Sequence, residues 1–90
     1  MLRISTISES ENHTRLRVEG RLMGPWVEEL RGTCQQARCE GKAVTLDLGR
    51  LWFVDSAGAA LLRELAAGQV VHENCSMFVR YLLKETENEG

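Results

Sequence analysis

The sequence predicts an α/β fold of the two-layer α+β kind, with helices mainly on one face of a four-stranded mixed sheet. Residues 15–22 and 44–48 alternate apolar with charged or polar side chains, which is typical of strands with one buried face. Other segments repeat apolar residues at helical spacing. A sheet with one solvated face packs its helices on the other face. The expected order is β-β-α-β-α-β-α in a single domain over residues 1–90.

The first two strands are expected at residues 2–7 and 15–22, joined as a hairpin by a polar turn. In the second strand Leu16, Val18 and Leu22 point to one face. The first helix is expected to begin at Pro25 and to stop at Gly41, because proline suits the first helical position and glycine suits the end. Its predicted buried face consists of Trp26, Val27, Leu30, Cys34 and Ala37.

The second half of the chain continues the succession of strands and helices. A third strand around residues 44–48 is followed by a helix over residues 56–68, whose predicted buried stripe is Gly58, Leu61, Leu62 and Leu65. Glycine in that stripe indicates a close approach of helix and sheet. Residues 69–74 are expected to form the fourth strand, and Ser76 is expected to cap a last helix. That helix is predicted to turn Phe78, Val79, Leu82 and Leu83 inward, with Lys84 near its end.

The composition narrows the class of protein. With 11 basic and 13 acidic residues the net charge is −2, so we expect no nucleic acid as a partner. No apolar run reaches the ~18 to 20 residues of a membrane span, and the N-terminus has no signal-peptide core, so we expect no membrane insertion. The three cysteines, an odd number, fit a reducing compartment. We therefore expect a cytoplasmic protein.

The segment Asp55-Ser56 places a hydroxyl where a strand gives way to a helix. Three roles are open at this point: Asp55 or Ser56 is only an N-cap, Ser56 is a nucleophile, or Ser56 accepts a phosphate. On the helix that follows, Ser56, Ala60, Arg63 and Ala67 share one stripe. Solvated helix faces usually carry long polar side chains, so this smooth face indicates a docking surface.

Two kinds of chemistry are disfavoured. Residues 54–58 have the layout of a nucleophile elbow, but Val54 stands where that strained turn needs glycine, and only His13 and His72 are available as a base. Cys34 and Cys39 lie about 140° apart on one helix, so they cannot bind one ion together with His72 and Cys75. We therefore expect no enzymatic activity, no metal and no cofactor.

Trp52 and Phe53 are expected in a short connection between the third strand and the helix. The alternation of apolar and polar residues cannot show which side chain of a two-residue connection is buried. In one interpretation Phe53 is buried beside Leu51 or Val54 and Trp52 covers the end of the sheet. In the other, Trp52 is exposed as an anchor for a partner, since aromatic residues are frequent at binding hot spots.

Gly20-Arg21-Leu22, followed by a helix and then VTLDLGRLWFVDSAG over residues 44–58, resembles a STAS domain. This is the module of bacterial anti-sigma factor antagonists, and it also occurs in the cytoplasmic parts of sulfate transporters. The usual family pattern is a strand reading L-D-L-S, a short apolar stretch, D-S-S/A-G and a leucine-rich helix. Ala57 follows Ser56 here, which leaves one hydroxyl instead of two.

The resemblance implies a non-enzymatic protein–protein switch. The matching Ser56 would be phosphorylated by a partner that is both anti-sigma factor and GHKL-type serine kinase, and a phosphatase would reset it. The expected partner-binding residues are Trp52, Asp55, Ser56, Ala57, Gly58, Ala60 and Arg63. The alternative within the family is a constitutive interaction subunit, such as the STAS subunit of a bacterial ABC-type lipid transporter, which needs no phosphorylation. The oligomeric state stays open.

Overall fold

The computed structural model describes residues 1–88, and in the last helix it describes the side chains of residues 77–81 and 83. The elements are β1 (Leu2–Glu9), β2 (His13–Leu22), α1 (Trp26–Cys39), β3 (Ala43–Val54), α2 (Ser56–Ala67), β4 (Val71–Glu73) and α3 (Met77–Asn88). This order confirms the prediction. Strand β4 is shorter than expected, because Gln69 takes a positive φ of 72° and Val70 donates its N–H to the Leu65 carbonyl at the end of α2.

The four strands lie in the order β1-β2-β3-β4, and the sheet is mixed as predicted. Strands β1 and β2 are antiparallel and form the expected hairpin. Strand β3 is parallel to both β2 and β4. Parallel neighbours need a crossover, and α1 and α2 provide the two crossovers.

The hydrophobic core lies between the helices and one face of the sheet. The expected inward residues of β2, α1 and α2 are buried, apart from Trp26, which is half-buried and packs against the core. The other face of the sheet carries mostly charged and polar side chains, and no helix in residues 1–88 covers it. Within that same range, no helix combines the length and apolar character needed to cross a membrane.

Helix α3 agrees with its prediction in part. The Ser76 hydroxyl accepts a hydrogen bond from the Val79 N–H at 3.2 Å, so Ser76 caps the helix as expected. Val79 is buried and Leu83 packs against the core. The inward placement of Phe78 is wrong: it lies about 100° from Val79 around the helix and is 48% exposed. The side chains of Leu82 and Lys84 lie outside the described part.

Trp52 and Phe53 belong to strand β3, so the prediction of a connection there is wrong. Gly20 pairs with Leu51, whereas Arg21 pairs with Phe53, which leaves Trp52 as the extra residue of a β-bulge. Strict alternation would bury one of the two aromatics. The bulge instead buries Leu51 and Val54 and leaves Trp52 61% exposed and Phe53 36% exposed.

Candidate functional site

The candidate site lies where β3 ends and α2 begins, and Asp55 is the N-cap of the helix. Its backbone is extended, with φ −84° and ψ 179°. Its Oδ1 accepts a hydrogen bond from the Gly58 N–H at 2.7 Å. A carboxylate here satisfies a free N–H of the first turn and interacts favourably with the helix dipole. Of the two candidates for the cap, Asp55 is therefore the one that fills this role.

Asp55 also joins the start of α2 to the turn between β2 and α1. Its Oδ2 accepts a hydrogen bond from the Gly24 N–H at 3.1 Å. Its own N–H donates to the Leu22 carbonyl at 3.1 Å. These contacts use both carboxylate oxygens and the amide, so they fix the backbone from which Ser56 follows. The hydrogen bond from the Gly24 N–H could not be predicted from the sequence, because the residue type does not show which backbone N–H groups donate to a side chain.

Ser56 is the first residue of α2, and it is exposed. Among the hydrogen bonds of the described residues, none involves its hydroxyl. The two histidines lie far away along the sheet, since His72 pairs with Leu46 and His13 pairs with Ala43. Leu46 precedes Val54 by eight residues, a distance of roughly 25 Å along a strand. Neither imidazole can act as a base for Ser56, and the nucleophile-elbow interpretation fails on geometry.

The surface beside Ser56 is smooth, as the helical spacing predicts. Ala57, Ala60 and Ala67 are exposed, and Arg63 is half-buried. The Nε atom of Arg63 is buried and has no hydrogen-bond partner within the described part of the chain. Trp52 lies on the sheet side of the turn, where the Arg21 guanidinium stacks 4.8 Å above its ring. This contact could not be predicted from the alternation of residues, because it follows from the bulge.

Gly58 does not belong to the surface, which corrects its predicted contact with a partner. It is buried, and a Cβ at this position would lie 2.6 Å from the Leu22 carbonyl oxygen and 3.0 Å from Val54 Cγ1. Glycine is therefore required as a spacer between helix and sheet, as the buried stripe also predicted. Its buried N–H donates the hydrogen bond to Asp55 that caps the helix.

Cys34 is buried, as its place on the predicted buried face of the first helix indicates, and Cys39 is exposed. Burial raises the pKa of the Cys34 thiol to about 11, and the positive charge of nearby Arg38 partly opposes this rise. In the described residues, no group of three or more Cys, His, Asp or Glu side chains is arranged to hold a metal ion.

Comparison with known proteins agrees with this fold. A family model described as "Mlab, STAS domain" matches residues 5–83. The chain is similar to the solved structure of the anti-sigma factor antagonist SpoIIAA in its unphosphorylated form, with 25% identity, coverage of 94% of this chain and 81% of that chain, and a TM-score of 0.71. It is also similar in fold to the phosphorylated form of the Bacillus cell fate determinant SpoIIAA, with 24% identity, coverage of 93% and 83%, and a TM-score of 0.66. No curated protein sequence matches it. The chain belongs to the STAS domain family, since the family model spans most of its length.

Proposed function

We propose that this STAS domain is an anti-sigma factor antagonist, and that phosphorylation of Ser56 controls its binding to an anti-sigma factor that is also a serine kinase. One observation carries the proposal: Asp55 caps α2, and the exposed hydroxyl of Ser56 forms no hydrogen bond with the described residues. A phosphate can therefore be added without removing a contact of the fold. The similarity to SpoIIAA in both its unphosphorylated and phosphorylated forms supports this reasoning.

The energetics favour a switch that blocks binding without unfolding the domain. A phosphate adds ~1.5 to 2 negative charges. At a helix N-terminus this charge is favoured by ~0.3 to 1 kcal/mol, and the neighbouring Asp55 carboxylate offsets part of that gain. In a docked interface, an unpaired buried charge costs ~2 to 5 kcal/mol. This corresponds to a loss of tens- to thousands-fold in affinity.

In the proposed phosphorylation, the kinase partner supplies all catalytic groups. The Ser56 oxygen attacks the γ-phosphorus of the nucleotide, the bond to the β-phosphate oxygen breaks, and the hydroxyl proton passes to a base of the kinase. The domain supplies only the acceptor, since an unactivated hydroxyl without an adjacent base is a poor nucleophile. The isolated domain should therefore neither hydrolyse ATP nor react with a fluorophosphonate probe.

The direct test measures the affinity of the cognate anti-sigma kinase for the wild type, Ser56→Ala and Ser56→Asp. We expect Ser56→Ala to bind like the wild type and Ser56→Asp to bind at least tens-fold more weakly, because it buries a carboxylate in the interface. Gln35→Asp is the control, since it adds the same charge at an exposed position of α1, outside the stripe beside Ser56, and we expect it to bind like the wild type. After incubation with kinase and ATP, mass spectrometry should find one phosphate, on Ser56. Equal affinity of all three proteins would contradict the switch.

The second candidate is a constitutive interaction subunit, for example one that docks on the ATPase of a lipid transporter. The observation that favours it is the exposed alanine stripe of Ala57, Ala60 and Ala67, which provides a smooth docking surface without any modification. Under this function Ala60→Glu and Arg63→Glu abolish the complex, whereas Ser56→Ala leaves it nearly unchanged and no kinase adds a phosphate to Ser56. The phosphorylation assay therefore distinguishes the two functions.

A further inference from the structure

The face of the sheet that points away from the helices carries a cluster of arginines. Val18 is buried in the core, so its neighbour Glu19 points to the opposite, open face. Glu19 pairs across the strands with Arg3 on β1 and with Arg50 on β3, which share that face. The arginines of the open face are Arg3, Arg15, Arg17, Arg21 and Arg50.

Two of these arginines have carboxylate partners. Arg15 forms an ion pair with Glu73, and Arg17 lies 3.9 Å from Asp47. The remaining three, Arg3, Arg21 and Arg50, are exposed and form no ion pair within the described part of the chain. The open face therefore carries five arginines and three carboxylates, which are those of Glu19, Asp47 and Glu73. The chain as a whole, in contrast, has a net charge of −2. Positive charge is concentrated on this face.

The aromatic residues of the β3 bulge border the same cluster. Phe53 pairs with Arg21, and Trp52 is held beneath the Arg21 guanidinium at 4.8 Å. This places an exposed ring beside the unpaired arginines. Tryptophan and arginine are the residue types that most often dominate the energy of protein–protein interfaces.

We propose that this open face is a second docking surface, independent of Ser56, which binds an acidic segment of a partner protein. Guanidinium groups hold carboxylates through paired N–H donors, which suits the unpaired arginines. The interspersed Glu19, Asp47 and Glu73 favour a protein partner, because a mixed charge pattern fixes the register of a protein interface. Anionic membranes attract clusters of uniformly basic residues, and nucleic acids select strongly basic domains, whereas the pI here is about 5.7.

The test uses two capped synthetic peptides, octaglutamate and octaglutamine, and follows the arginine Nε–H signals of the 15N-labelled domain by NMR. We expect octaglutamate to shift the signals of Arg3, Arg21 and Arg50 saturably, and octaglutamine to leave them unchanged. The double variant Arg3→Glu/Arg50→Glu should bind octaglutamate at least about tenfold more weakly, because like charges then face each other. The milder pair Arg3→Gln/Arg50→Gln should weaken binding in the same direction, and it tests the proposal even if charge reversal perturbs the sheet.

The matched control is Arg38→Glu/Arg80→Glu, which makes the same change of net charge with exposed arginines of α1 and α3. We expect it to change the affinity little, and Ser56→Asp to have no effect on octaglutamate binding. The proposal is overturned if octaglutamate causes no saturable shift, if the control pair weakens binding as much as Arg3→Glu/Arg50→Glu, or if phosphatidylserine vesicles bind more tightly than the peptide.

Discussion

The contact between α2 and the sheet at Gly58 gives a quantitative test of the fold around the site. In Gly58→Ala, the new Cβ would lie 2.6 Å from the Leu22 carbonyl oxygen and 3.0 Å from both Leu22 Cγ and Val54 Cγ1. The nearest of these atoms belongs to the backbone of β2, so it cannot move aside as a flexible side chain does. The helix must therefore shift away from the strand.

The magnitude follows from two opposing effects. Overpacking of a core costs ~1 to 3 kcal/mol, and the upper part of this range applies because backbone is displaced. Replacing glycine by alanine inside a helix contributes ~0.5 to 1 kcal/mol in the other direction. The net effect is a destabilisation of about 1 to 2 kcal/mol, which lowers the Tm of a domain of this size by roughly 5 to 15 °C.

Urea and thermal denaturation followed by circular dichroism measure this effect. Gly32→Ala is the matched control, since Gly32 lies within α1 and a Cβ there meets no atom within 4 Å. That variant should gain ~0.5 to 1 kcal/mol from the helical preference of alanine. The reasoning is refuted if Gly58→Ala is as stable as the wild type, or if both variants are stabilised alike.

Three further predictions concern single side chains. Asp55→Ala should lower the free energy of unfolding by ~1 to 2 kcal/mol, because it removes the N-cap and the bond to Gly24, and urea denaturation measures the loss. Burial lowers the pKa of His72, so the stability linked to it is complete above its ordinary pKa of about 6.5 and is lost as the pH falls toward the lowered value. His72→Leu should therefore reduce the difference in the free energy of unfolding between about pH 7.5 and 5.5, measured by urea denaturation at each pH. At pH 8, Cys39 of the folded protein should react with a thiol reagent such as DTNB. Cys34 should not react, since it is buried and its pKa is about 11, and unfolding in urea should make both thiols react.

Much of the fold follows from local patterns. The alternation of Leu16, Val18 and Leu22 and the helical spacing of Leu61, Leu62 and Leu65 predicted the buried faces that the structure shows. Both patterns depend on geometry within one element, so they can be read without knowing the partners of that element. The exposed hydroxyl of Ser56 was predictable in the same way, from its place on the helical wheel.

The errors arose where one element depends on another. Trp52 and Phe53 are both exposed because the register of β3 against β2 changes between Gly20 and Arg21, and register between distant strands does not appear in local alternation. Phe78 lies at the edge of the apolar stripe of α3, where the extent of the neighbouring core decides burial. The second hydrogen bond of Asp55 likewise depends on a turn 31 residues away in the sequence.

The arrangement around Asp55 separates the stability of the domain from the state of Ser56. Three hydrogen bonds of Asp55 fix the start of α2, and none uses the Ser56 side chain. Ser56→Ala, Ser56→Asp and the phosphorylated domain should therefore keep the free energy of unfolding within about 1 kcal/mol of the wild type, the size of a helix-terminus charge effect. If phosphorylation instead lowers it by ~3 kcal/mol or more, the modification acts by disrupting the fold, and a switch confined to the docking surface is wrong.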